Sequence, residues 1–202
     1  MSDKAAIKNR LRSVLDPVVS LLARLGISPL AVTVSGLVVS LAGALAIARG
    51  SLLGGAIILV ISGLCDTLDG SLARRTGKET KFGAFIDSTI DRITELAYFG
   101  ALIVYYGARG EGGRLAVIFA IVAILGSFLT SYTRARAEGL GLECRVGLLE
   151  RPERVAILAL GLLIGGAALV VALGCLAVLT VVTSLQRVVH VYRLTAVKDR
   201  SA

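Results

Sequence analysis

The feature that most constrains this 202-residue chain is a set of long stretches with no charged residue. Leu25–Ala48 runs for 24 residues without Asp, Glu, Lys, Arg or His, Gly50–Cys65 for 16, Leu115–Thr133 for 19 and Val155–Gln186 for 32. About 20 apolar residues, rising 1.5 Å each, cross a hydrocarbon core of about 30 Å. With 55% of residues apolar and 18% charged, a soluble globule of this size would leave too much apolar surface in water. The same composition excludes a disordered chain. In lipid every backbone polar group must be satisfied internally, so the spans are helices. The fold class predicted is an all-α integral membrane protein with six transmembrane helices, at 29–48, 51–73, 82–106, 114–134, 153–171 and 174–192. The last two form a hairpin turning near Val171–Gly174. Gly161 and Gly165 offer it a close-packing face.

Residues 4–25 carry Ile7, Leu11, Val14, Val18, Leu22 and Leu25 at helical spacing with basic residues between. They read as an amphipathic helix lying on the membrane surface, with Asp16-Pro17 capping a fresh turn inside it. The organisation is then a juxtamembrane helix (1–28), a six-helix membrane domain (29–192) and a cytoplasmic tail (193–202). Six crossings put both termini on one side. That side would hold 19 of the 22 Lys and Arg residues, the other only Arg49, Arg109 and Arg114. The positive-inside rule makes the richer side cytoplasmic and the protein a multi-pass component of the cell (plasma) membrane. It also accounts for the net charge of +8 without nucleic acid, for which Trp-free, lipid-like composition is a poor match. Cys65, Cys144 and Cys175 form no C-x-x-C pair and read as packing residues in a reduced compartment. His190, the one histidine, reads as an interfacial residue, and Tyr105 and Tyr106 as part of an aromatic belt.

Chemistry concentrates where the second and third spans approach one surface. Asp66 and Asp69 stand i,i+3 on one helix, and Asp87 and Asp91 stand i,i+4 on the next. A short turn at Thr76-Gly77-Lys78 makes the two helices antiparallel neighbours and brings four carboxylates to one pocket. Like charges about 4 Å apart repel by about 4 kcal/mol at an effective dielectric near 20. Protons or cations must compensate. Oxygen ligands without a neighbouring Cys or His pair point to Mg2+, Mn2+ or Ca2+, and a pair of metals suits displacement at phosphorus. Gly70 lets a ligand approach the backbone, and Arg74 lies where it would hold a phosphate. Carboxylates at membrane depth also suit a cation channel, transporter or proton relay.

The pattern D-x-x-D-G-x-x-A-R-x8-G-x-x-x-D-x-x-x-D is filled at every fixed position by Asp66, Asp69, Gly70, Ala73, Arg74, Gly83, Asp87 and Asp91. In this the chain resembles the CDP-alcohol phosphotransferases, and the likeness extends to the six-span layout and the surface helix. The resemblance implies a homodimer, a donor with a cytidine diphosphate linkage and two divalent metals, Mg2+ or alternatively Mn2+. It implies that Asp66, Asp69, Asp87 and Asp91 serve the metals and that Asp91 is the general base. Gly70, Arg74 and Thr80 would meet the cytidine diphosphate, together with the stretch Pro29, Leu30, Ala31, Val32 and Thr33. The family's usual Asn in that stretch is absent, Ser28 being the nearest counterpart.

A second basic cluster follows the fourth span: Arg134, Arg136, then Glu150-Arg151-Pro152-Glu153-Arg154, with Arg187 closing the sixth span. Arginine forks suit phosphate oxygens, so Arg134, Arg136, Arg154 and Arg187 are candidates for an acceptor that already bears a phosphate. Arg145, Arg193 and Arg200 fit plain topology. The run S-Y-T-R-A-R-A-E-G-L-G with E-R-P-E-R resembles the bacterial phosphatidylinositol-phosphate synthase branch of the family. That likeness implies transfer from CDP-diacylglycerol to inositol 3-phosphate with release of CMP. Glycerol 3-phosphate as acceptor (a phosphatidylglycerophosphate synthase) and an ether-lipid donor are the alternatives.

Overall fold

The computed structural model describes residues 3–199, with the side chains of 14–196. The side chains of Ile7, Leu11, Lys4, Lys8, Arg10, Arg12 and Lys198, and all of Arg200, lie outside the described residues. Among the described residues seven α-helices follow one another: α1 (Asp3–Arg24), α2 (Pro29–Ala48), α3 (Leu52–Thr76), α4 (Lys81–Gly107), α5 (Arg114–Gly139), α6 (Arg151–Ile164) and α7 (Gly166–Asp199). A short 3-10 turn at Gly110–Gly113 joins α4 to α5. No strand occurs among the described residues.

Helix boundaries follow local chemistry. Ser28 caps α2 by accepting from Ala31 N (3.2 Å), and Pro29 takes the first helical position, where its missing N–H costs nothing. Gly77 ends α3 with φ +62°. Lys78 N donates to Ala73 O (3.0 Å) and Gly77 N to Arg74 O (3.4 Å), which is a Schellman stop. Thr80 then caps α4, its Oγ1 accepting from Gly83 N (2.9 Å). The turn expected at 76–78 is therefore built from a stop signal and a start signal three residues apart.

Three boundaries differ from the sequence reading. α1 runs unbroken through Pro17, so Asp16-Pro17 does not start a fresh turn. Val19, buried against Val32 and Leu72, anchors the helix just past the proline. The final hairpin turns at Gly165–Gly166, not at Val171–Gly174. Both glycines have positive φ (+71° and +52°), a conformation that residues with a Cβ rarely adopt. The spans expected at 153–171 and 174–192 thus become a 14-residue α6 and a 34-residue α7 that continues past residue 192 to Asp199. Gly161 packs on Ala172 of α7 as a small-residue face should, whereas Gly165 is the hinge.

Among the described residues, four helical stretches are long and apolar enough to cross a membrane: Pro29–Ala48, Leu52–Thr76, Gly110–Gly139 and Gly166–Ala196. α4 is long enough at 27 residues but carries Asp87, Asp91, Arg92 and Glu95. α6, at 14 residues, rises only about 21 Å. Exposed Val34, Val38, Leu41, Ile57, Val60, Leu125, Val171 and Val178 clothe the outside in aliphatic side chains. Such a coat requires a lipid solvent.

The helices pack through small residues. On α2, Gly36, Ser40, Gly43, Ala44 and Ile47 are buried, a stripe at helical spacing that faces α3 and α4. Ser40 Oγ and Ser62 Oγ lie 2.6 Å apart across it. α5 and α7 meet along a hydroxyl seam. Thr130 Oγ1 donates to Thr180 O (3.1 Å), Ser184 Oγ donates to Gly126 O (3.1 Å), and Gly126 sits directly against Thr180. One large core runs through α2 to α7 around Ile47, Leu59, Tyr98, Phe99, Leu102, Leu162, Leu173 and Leu176. A smaller one joins Val19, Val32 and Leu72. Tyr106, expected in an aromatic belt, is buried in the large core and meets Tyr105 edge-on at 4.9 Å.

Candidate active site

Asp66 and Asp69 lie on α3 between the two cores, after Leu59 and before Leu72. Asp87 and Asp91 lie on the first half of α4. The expectation of antiparallel neighbours facing one pocket meets a structure in which the main packing of α3 is on α1, α2 and α6 and that of α4 on α2 and α5. The acidic faces of α3 and α4 meet across a cleft, where their carboxylates approach one another. Thr33, Gly36, Ser62, Asp66, Asp69, Ile90, Asp91, Thr94 and Arg151 line that cleft.

Across it, one oxygen each from Asp66, Asp87 and Asp91 falls within 4.8 Å of the others. Asp69 belongs to the same cleft but not to this trio. It is 5% exposed, and its Oδ2 is buried without a hydrogen-bond partner. An unpaired buried carboxylate oxygen is expensive unless a cation or donor reaches it. The donor set is oxygen only, which fits a hard divalent ion. Three carboxylates are thus brought together, and the fourth stands beside them.

Two arginines reach the cluster. Arg92 Nη1 is 3.4 Å from Asp91 Oδ2. Arg151, the first residue of α6, places Nη1 3.2 Å from Asp66 Oδ2 and Nη2 2.8 Å from Asp91 Oδ1. The sequence reading counted Arg151 only as part of a basic loop. No spacing rule joins residue 151 to residues 66 and 91, because α6 reaches them only through the folded packing of α6 on α3.

Of the positions expected at the nucleotide end, Thr33 lines the cleft with the aspartates, and the others lie on the helix ends nearby in sequence. Gly70 leaves room on α3 beneath the Arg74 guanidinium, 3.4 Å from where a Cβ would stand. Arg74 Nη2 donates to Ser71 Oγ (3.2 Å), and the exposed Arg74 shares a groove with Asp16, Val19, Ser71 and Arg75. Arg75 pairs with Asp16 at 3.7 Å and fastens α1 to the end of α3. Thr33 lines the cleft, and its Oγ1 donates to Pro29 O (3.0 Å). Pro29, Leu30 and Ala31 form the first turn of α2, while the Val32 side chain is in the small core and its N–H donates to Ser28 O (3.3 Å). Thr80 is the cap of α4.

Arg134, Arg154 and Arg187 already have partners. Arg154, 4% exposed, grips Glu95 with Nε–Oε1 of 2.7 Å and Nη2–Oε2 of 3.2 Å. Glu95 is one turn beyond Asp91, so Asp87, Asp91 and Glu95 form one i,i+4 stripe. That spacing was present in the sequence and would have found Glu95. Arg187 Nε donates to Val146 O (2.9 Å) and its Nη1 to Thr130 O. Arg134 Nε donates to Glu138 Oε1 (2.8 Å), and Arg136 is exposed. Leu148 N donates to Gln186 Oε1 and Leu149 N to Thr183 Oγ1, each at 3.2 Å. The segment 140–150 is thereby strapped to α7.

Comparison with known proteins gives the arrangement a context. The family described as CDP-alcohol phosphatidyltransferase matches residues 27–190. Archaetidylinositol phosphate synthase of Methanothermobacter thermautotrophicus is 37% identical over 191 residues, covering 91% of each chain. Phosphatidylinositol phosphate synthase of Mycobacterium marinum is 38% identical, covering 92% of this chain and 82% of the relative. Among solved structures, Mycobacterium tuberculosis phosphatidylinositol phosphate synthase with CDP-DAG bound superposes with a TM-score of 0.81 at 38% identity, covering 87% of this chain and 92% of that one. The same enzyme with manganese and citrate gives a TM-score of 0.82 at 38% identity, covering 87% and 88%.

Proposed function

Because the chain belongs to the CDP-alcohol phosphatidyltransferase family of metal-dependent membrane transferases, we propose that it transfers a phosphatidyl group from CDP-diacylglycerol to inositol 3-phosphate, giving phosphatidylinositol phosphate and CMP. The observation that carries this reading is the convergence of Asp66, Asp87 and Asp91 on one cleft. The names of the relatives support the acceptor, and the archaeal relative keeps an ether-lipid donor in play. The channel or transporter reading gives way to the family assignment.

Asp66, Asp69, Asp87 and Asp91 would hold two divalent ions, Mg2+ in the first place and Mn2+ as a substitute. Bound there, the ions supply Lewis-acid stabilisation of charge on the pyrophosphate and on the departing CMP. Asp91 accepts the proton of the attacking hydroxyl, which then displaces CMP in line at phosphorus. Gly70, Arg74, Thr80 and the stretch Pro29, Leu30, Ala31, Val32, Thr33 receive the cytidine diphosphate end. Arg134, Arg136, Arg154 and Arg187 receive the acceptor phosphate. A guanidinium carries five N–H donors. The hydrogen bonds described above engage two nitrogens of Arg154, Nε and Nη2.

The same reading sets the molecule in the plasma membrane as a homodimer. α4 and α6 complete six spans, α1 lies on the inner surface, and both termini and the cleft face the cytoplasm. A mouth at the boundary lets lipid tails stay in the bilayer while the polar acceptor arrives from water.

The test uses purified protein with labelled CDP-diacylglycerol, offered inositol 3-phosphate, free inositol and glycerol 3-phosphate in parallel, with Mg2+, Mn2+ or EDTA. CMP release with inositol 3-phosphate, abolished by EDTA, is expected. Turnover confined to glycerol 3-phosphate would move the chain to phosphatidylglycerophosphate synthesis. Arg134→Ala and Arg154→Ala should raise the acceptor KM more than the donor KM, and equal effects would remove them from the acceptor site.

A further inference from the structure

Arg151 stands apart from the other arginines: Arg92 touches only Asp91 of the cluster, whereas the Arg151 guanidinium reaches two of its carboxylates. It bridges α3 and α4, reaching Asp66 Oδ2 at 3.2 Å and Asp91 Oδ1 at 2.8 Å. Asp66 and Asp91 are two of the three carboxylates whose oxygens converge within 4.8 Å. A cation drawn to that point and the guanidinium therefore claim the same two residues. Two positive charges a few ångströms apart also repel one another.

The arginine is held in a way that suits a yielding partner. Its side chain is 23% exposed, so a path to water is open. Its Nε is buried without a hydrogen-bond partner, and Asp91 Oδ1 finds an ion pair but no aligned hydrogen bond. Arg154, three residues on, shows the contrast, with a two-point grip on Glu95 and 4% exposure. The backbone leading to Arg151 does not need to move. Leu148 and Leu149 are bonded to α7, and Glu150 N donates to Glu153 Oε2 (3.1 Å). Side-chain rotation about a fixed helix start suffices.

We propose that Arg151 is a positioning residue that acts as an internal counter-cation, holding Asp66 and Asp91 across the cleft in competition with the divalent metal and yielding them when the metal enters. The proposal rests on the reading that this cluster binds divalent metal. Its consequence for chemistry is sequence control. While Arg151 grips Asp91 Oδ1 and Arg92 sits beside Oδ2, both oxygens of the proposed base are engaged, and Oδ1 can act only after Arg151 has let go.

The experiment is a Mn2+ titration of purified protein, followed by the electron paramagnetic resonance signal of free Mn2+, with no lipid or acceptor present. Arg151→Gln should bind Mn2+ about tenfold more tightly than the wild type, within the range of ordinary site–site coupling. Arg151→Lys, which keeps the charge but loses the fork, should fall between them. The Mn2+-induced rise in melting temperature should likewise be larger in Arg151→Gln, because ligand stabilisation scales with affinity. Unchanged or weaker Mn2+ affinity in Arg151→Gln overturns the proposal. Should that variant fail to fold, Arg151→Lys decides, and wild-type affinity there overturns it. Absence of Mn2+ binding in the wild type would overturn the metal reading as well. Binding in the wild type that Asp91→Asn weakens and Arg151→Gln leaves alone would overturn only the inference.

Discussion

The α5–α7 seam and the α3–α4 cleft are both polar zones inside an apolar molecule, and they treat their polar groups in opposite ways. Along the seam, Thr130, Thr180 and Ser184 are buried, and each hydroxyl has a partner on its own or the facing helix. Helices close to contact there, with Gly126 against Thr180. In the cleft the groups are charged, and Asp69 Oδ2, Asp91 Oδ1 and Arg151 Nε lack hydrogen-bond partners. A polar group that is satisfied by the fold contributes to the fold. Among the described residues Tyr98 Oη and Ser127 Oγ are also buried without a partner, but only in the cleft are the unpartnered groups charged, and a charge left wanting is held ready for something that arrives.

Four substitutions would break or sharpen this contrast. The largest effect is expected for Asp91→Asn, which should lower kcat by about 10^3-fold while the protein stays monodisperse and folded, as general-base loss does. Loss of folding instead would make the cleft structural. Gly126→Val comes next. Its side chain would strike Thr180, so thermal denaturation in detergent should report a loss of about 2 kcal/mol, the cost of overpacking. The kcat of the surviving folded fraction should be unchanged. Ser184→Ala removes one hydroxyl from the seam and should cost about 0.6 kcal/mol, a common value for hydrogen bonds between membrane helices, with no effect on either KM. Smallest of all, Arg145→Ala breaks only an exposed pair with Glu143 (2.9 Å) and should shift stability and turnover by less than about 0.5 kcal/mol.

Much of the architecture is legible in one dimension because lipid imposes a simple rule. Charge-free runs placed α2, α3 and α5 to within a few residues, and Ser28-Pro29 marked the start of α2. The final hairpin was misplaced because its run of 32 uncharged residues holds no charge to mark a turn. The signal that did mark it was conformational, two adjacent glycines free to take positive φ. In the site, the aspartates were legible because their spacing along single helices encodes a shared face. Arg151 and the Arg154–Glu95 pair were not, since residues 59 or more positions apart meet only through tertiary packing. How closely α3 and α4 pack was hidden for a related reason. A short connection fixes direction, while distance is set by what α1, α2, α5 and α6 do on either side.

The 34 residues of α7 amount to about 51 Å of rigid rod, far more than a bilayer's oily interior is deep. Thr183, Gln186, Arg187 and His190, spaced along its second half, are the pegs from which residues 143–149 hang. Bending the rod between Thr183 and His190 would slacken the rigging that aims Arg151 at the aspartates.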